Sequence, residues 1–174
     1  MLSFLERRLL QSYYYFTGKH YQCFDTKAAV LMQNVVYFLQ QKECLTSEFS
    51  FSLTPNGMYS PGLLSCLFGL DKKQTEVVAF QETKAMVEDF PLKDWKHINA
   101  LVDLYELDII FEHKKNSWII ALASLLYVKT SLLPGCDEDV AVNRVLQDVT
   151  AIDEKTARKA FYYLEGGRGI HDGY

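Results

Sequence analysis

The sequence predicts a mainly α protein, a compact helical bundle with one minor strand element. Three observations predict it. Apolar residues recur at helical spacing in segment after segment, whereas a single short stretch alternates with period two. Hydrophobic residues fill 49% of 174 positions and charged ones 23%, a balance that supports a packed core and argues against disorder. The four prolines all fall between expected helices.

Leu2, Leu5, Leu9 and Tyr13 share one face, so Leu2 to Phe16 reads as an amphipathic helix that Gly18 ends. Asp25 is a good N-cap for a second helix running to about Gln41, with Ala28, Leu31, Met32, Val35, Val36 and Leu39 as its stripe. From Glu48 to Leu53, Phe49, Phe51 and Leu53 alternate with Ser50 and Ser52, the period of a half-buried strand. Pro55-Asn56-Gly57 is a turn. Ser60 followed by Pro61 is a strong helix start, a capping hydroxyl and then a residue whose fixed φ suits the first turn. The helix it opens, Pro61 to Leu70, is almost wholly apolar and is expected to be buried.

Lys72 to Glu88 reads as one polar-surfaced helix. Pro91 to about Phe111 reads as another, with Trp95, Ile98, Leu101, Val102 and Tyr105 in register. Ser117 is expected to cap a core helix ending near Leu133; its apolar run, Trp118 to Val128, is too short to span a bilayer. Pro134-Gly135 breaks the chain. Asp137 starts the next helix, with Val140, Val145 and Val149 expected inside. Asp153 caps the last, where Ala157, Ala160, Phe161 and Leu164 form a stripe and Gly166-Gly167 a stop. The expected organisation is a single domain over 1–174: a first half over 1–90, a helical half over 91–166, and a flexible tail over 167–174. The core is expected from the helices at Asp25 to Gln41, Pro91 to Phe111 and Ser117 to Leu133.

The helix written KxxxLMQNVVYFLQ, the aromatic strand FSFSL, and the turn and second helix NGMYSPGLLSCL resemble the YwgA-like and Panacea-like (SocA-associated) proteins. The stretch from Ser117 to Leu164 is similar to the C-terminal helices of the same group. The resemblance implies a winged-helix-like N-terminal half, and an antitoxin, proteolytic adaptor or transcription regulator of bacterial, phage or mobile-element origin. The sequence departs from the group's pattern in carrying Met58 where a proline follows the glycine, and it shows no hairpin signal after Leu70.

No catalytic, cofactor-binding or metal-binding constellation is legible, and the chain reads as non-enzymatic. His20, His97, His113 and His171 are scattered, with no HxxxH or HExxH pair. Cys23, Cys44, Cys66 and Cys136 form no CxxC and read as buried free thiols in a reducing compartment. His20 lies three residues from Cys23, a spacing too common to define a nucleophile and its base. Gly166-Gly167-Arg168-Gly169 lacks the strand, helix and Lys-Ser/Thr ending of a phosphate loop. Asp137-Glu138-Asp139 lacks EF-hand spacing and suits an acidic helix start. The opening residues, interrupted by Glu6, Arg7 and Arg8, form no signal peptide; the expected location is the cytoplasm, with no membrane contact.

What remains points to partner binding. The first 42 residues carry a basic excess that includes Arg7 and Arg8, and the stretch from Asp137 to Glu154 an acidic one. Tyr13-Tyr14-Tyr15-Phe16 covers all sides of a helix, so at least one ring is expected at the surface. Tyr59, in the turn before Ser60, is a candidate through the resemblance alone. The candidate contact residues are therefore Arg7, Arg8, Tyr13, Tyr14, Tyr15, Tyr59, Asp137, Glu138 and Asp139. The expected partner is another protein, and the 14% aromatic content is compatible with a homodimer. A winged-helix DNA-binding regulator is the alternative. It is disfavoured by the net charge of −4 and by a second helix, Pro61 to Leu70, that holds no Arg, Lys, Asn or Gln to read bases.

Overall fold

The computed structural model describes residues 1–41, 49–88 and 112–166. Over these residues the chain is mainly helical, with one small two-stranded antiparallel sheet. The helix expected at Pro91 to Phe111, the tail over 167–174 and Cys44 lie outside the described residues.

Helix α1 spans Phe4–Thr17 and starts later than its apolar stripe because Ser3 caps it. The Ser3 hydroxyl accepts from the Glu6 amide, and the Ser3 amide donates to the Glu6 carboxylate at 2.7 Å, a complete capping box. Gly18 closes the helix at φ 68°. Helix α2, Thr26–Gln41, is the centre of the molecule, and every residue from Leu31 to Leu39 is buried. Asp25 begins it as expected, its carboxylate accepting from the Lys27 amide at 2.8 Å.

Strands β1, Ser52–Thr54, and β2, Gly57–Tyr59, pair in antiparallel register, Ser52 opposite Tyr59 and Thr54 opposite Gly57. The ladder is shorter than the alternation from Phe49 to Leu53, because the backbone of Phe49 pairs with a side chain instead. Its amide donates to Gln40 Oε1 and its carbonyl accepts from Gln40 Nε2. The same device fastens the whole hairpin. Asn34 accepts from the Met58 amide and donates to the Asn56 carbonyl, and Gln33 both accepts from and donates to the Ser60 backbone. Three amide side chains of α2 thus satisfy backbone groups that a third strand would otherwise take. Gly57 sits at φ +92°, and a Cβ there would lie 2.3 Å from Asn34 Oδ1.

Helix α3, Pro61–Asp71, has the expected Ser60 cap, with Pro61 in its first turn. It is not buried throughout. Only Leu63, Leu67 and Leu70 are, and Phe68 stands 56% exposed, because an isolated helix face reaches the core along one stripe whatever its composition. The single helix expected over Lys72 to Glu88 is two, α4 at Gln74–Gln81 and α5 at Ala85–Glu88. Between them the Thr83 hydroxyl and amide both take the Phe80 carbonyl, ending the first.

Helix α6, Glu112–Tyr127, begins before Ser117, which is therefore not a cap; its hydroxyl donates to the Ala151 carbonyl. The helix continues as one π-helical stretch, Val128–Leu132, before the chain breaks at Pro134-Gly135. Helices α7, Glu138–Asp148, and α8, Glu154–Leu164, start at Asp137 and Asp153 as expected. Val145 and Val149 are buried, but Val140 is 46% exposed, since the inward stripe runs through Ala141, Val142 and Val145. The core is α6 laid against α2 and α8, with α7 on α8 and α1 on α2. Among the described residues no helix is long and apolar enough to cross a membrane.

Candidate functional site

The basic residues expected to meet a partner lie on the outer face of α1. Arg7 is exposed, and the Arg8 guanidinium sits 5.0 Å above the centre of the Phe4 ring. Arg8 Nη1 also donates to Gln11 Oε1, while Gln11 Nε2 donates to the Ala85 carbonyl at 2.7 Å. Phe4, Arg7, Arg8, Gln11 and Phe80 of α4 line a cleft of about 230 Å³. No carboxylate lines it among the described residues. The nearest acid in sequence, Glu6, is turned inward, where both its oxygens accept from Lys73 Nζ at 2.8 and 2.9 Å. Burial pushes the Glu6 carboxyl up. The bonds from Lys73 and Ser3 outweigh it and hold the group below its ordinary value.

The tyrosine run is more enclosed than expected. Tyr13 is buried edge-on against Tyr21, rings 5.5 Å apart, and burial with the nearby Asp25 charge pushes its hydroxyl up to about 12. Phe16 is buried against Phe38. Tyr14 and Tyr15 are half-buried, and Tyr14 lies against the exposed His20 ring. The run therefore belongs mostly to the core. Tyr59 is half-buried at the end of β2, in a segment whose neighbours are held by the α2 amides.

The acidic candidates gather at the start of α7, and each has a partner there. Asp137 accepts from the Val140 amide as a cap. Arg158 of α8 reaches Glu138 at 3.1 Å, Asp139 at 2.8 Å and Glu154 at 2.8 Å. Those three carboxylates push the Arg158 guanidinium further up from an already high value. The acidic stretch thus carries its own counter-charge, supplied by a residue the sequence reading had not placed there.

Three phenylalanine rings stand more than half exposed, and Tyr162 of α8 is 47% exposed. Phe4 is 62%, Phe24 70% and Phe68 56% exposed. Phe24 also stands at φ 63°, in the left-handed region that bulky side chains avoid. Asp71 holds it there, its carboxylate accepting from the Phe24 amide at 3.0 Å, one turn along α3 from Phe68. For Phe68 a sequence signal exists, since the Leu63-Leu67-Leu70 stripe leaves it outside. Phe24 has none, because neither its exposure nor its φ is written in local periodicity.

The free thiols Cys23, Cys66 and Cys136 are half-buried rather than buried, and burial pushes the thiols of Cys23 and Cys66 up. Among the described residues, no group of three or more potential metal ligands gathers; His97, His171 and the side chain of His113 lie outside them. Comparison with protein families, with curated proteins and with solved structures finds no match for this chain.

Proposed function

We propose that this protein is a non-enzymatic interaction module, which acts by binding a protein partner and blocking or delivering it. The observation that carries the reading is the set of three phenylalanine rings more than half exposed, Phe4, Phe24 and Phe68. One of them is held outward in a backbone conformation that costs roughly 1–2 kcal/mol for an L-residue. Exposed aromatics are the residues that interfaces bury, and a strained one is kept where it has a use. The resemblance to YwgA-like and Panacea-like proteins supports action of the antitoxin or adaptor kind. The three exposed phenylalanine rings support the side of α1, α3 and the turn into α2 as the contact surface, while Arg158 offsets part of the charge of the three carboxylates it meets beside α7.

The test is affinity capture from host lysate with nuclease added to half of the sample, run with the wild type and with Phe24→Ser/Phe68→Ser. A protein retained by the wild type in both halves, and lost by the double variant, is the expected result. Recovery of nucleic acid alone, or loss of all captured protein on nuclease treatment, would put the DNA-binding regulator in its place.

A further inference from the structure

Resting on that reading, we propose that the cleft between α1 and α4 seats an acidic peptide segment that carries one aromatic or aliphatic anchor. Its walls are the Phe4 and Phe80 rings, and Arg7 stands exposed at the cleft. At about 230 Å³ the cleft falls below the ~300–1,000 Å³ of small-molecule and cofactor sites and suits a single side chain.

The walls are set in place before anything binds. Gln11 is fixed by the Ala85 carbonyl and in turn accepts from Arg8, whose guanidinium lies over Phe4. A pre-set ring and guanidinium reduce the ordering that binding must impose. Among the described residues that line the cleft, the charged ones are Arg7 and Arg8, although the whole chain is at −4. The one carboxylate of α1, Glu6, pairs with Lys73 and does not line the cleft, where Arg7 stands exposed. A guanidinium fork matches a carboxylate in geometry as well as in sign.

A nucleic-acid strand fits less well. Glu76 stands exposed on α4, one turn before Phe80, and takes the Met1 amino group as its partner at 3.5 Å. A polyanion following the cleft would meet that carboxylate, where a short peptide with two or three acids would not.

The test is fluorescence anisotropy on the full chain with labelled probes: an acidic peptide with one central Phe, the same peptide with that Phe changed to Ser, its Lys-for-acid counterpart, and a single-stranded oligonucleotide. The expected result is micromolar binding of the first probe alone. It should weaken as salt is raised, and by about tenfold or more with Arg7→Glu or with Phe4→Ser. Both positions are exposed, so thermal melts of the variants should match the wild type. No binding of the acidic Phe peptide, equal binding of its Lys counterpart, preference for the oligonucleotide, or binding indifferent to both variants would overturn the assignment. Lysate capture with Arg7→Glu/Phe4→Ser separates the two readings. If a protein partner is held equally by this variant and the wild type, the cleft assignment falls and the interaction module stands. If no nuclease-resistant protein is captured by either, the module reading falls, and the peptide titration still reads the cleft.

Discussion

Single residues here work against their local preferences. Phe24 is an exposed aromatic at positive φ, so its side chain contributes little burial while its backbone bears strain. Phe24→Gly should therefore stabilise the fold by up to about 1 kcal/mol, the left-handed relief less the added freedom of an unfolded glycine. Denaturant midpoints check this, and the same variant should bind its partner more weakly. Glu6 makes the opposite arrangement, a carboxylate whose burial is outweighed by the bonds from Lys73 and Ser3 that favour its ionised form. Because its folded value lies below its unfolded one, the stability it contributes is full above the unfolded value, near ~4.3, and is lost as pH falls through the folded value. The acid limb of a stability-against-pH curve should flatten in Glu6→Gln, which keeps the shape and removes the titration. An unchanged acid limb would show that the Lys73 pair has no part in it.

Elements are joined in this protein by side-chain amides more than by sheet. The β1–β2 hairpin is too short to stand alone, and a two-stranded ribbon is marginal in water. It is held because Gln33, Asn34 and Gln40 of α2 take its backbone groups, as Gln81 takes both backbone groups of Tyr21 on the far side. Asn34→Leu would leave the buried Met58 amide without its acceptor, at a cost of about 2–3 kcal/mol. The expected outcome is a lower urea midpoint with an unchanged slope, since the exposed area on unfolding stays the same. A change of under half a kcal/mol would mean that the hairpin is carried by Met58 packing alone. The NGMYSPG segment, which carried much of the family resemblance, is therefore explained by attachment. Gly57 gives Asn34 room, Ser60 caps α3, and Gln33 holds the Ser60 backbone.

At the scale of the molecule, the three most exposed phenylalanine rings and the α7 carboxylates belong to different elements, although Val140 and Tyr162 also leave apolar surface on α7 and α8. The helices packed around α6 bring Arg158 among the α7 acids and close that surface electrostatically. The side built by α1, the turn into α2, and α3 keeps its rings and its Arg7 outward. Such a division favours one contact face over two.

Much of this fold was legible in the residues themselves. Asp25, Ser60-Pro61, Asp137 and Asp153 start their helices where expected, because a capping side chain acts on amides only two or three positions away. The stripe from Ala28 to Leu39 found the central helix, since burial of one face imposes its own period. What tertiary structure decided is what depends on partners distant in sequence. Gln33 meets Ser60 across 27 residues, Gln11 meets Ala85 across 74, and Arg158 meets Glu138 across 20. No local rule reports such pairings, so the outward turn of Phe24 and Val140, and the cleft beside Phe4, follow from how the helices settle against one another. Composition set how much apolar surface had to be hidden; packing chose which rings were left in water.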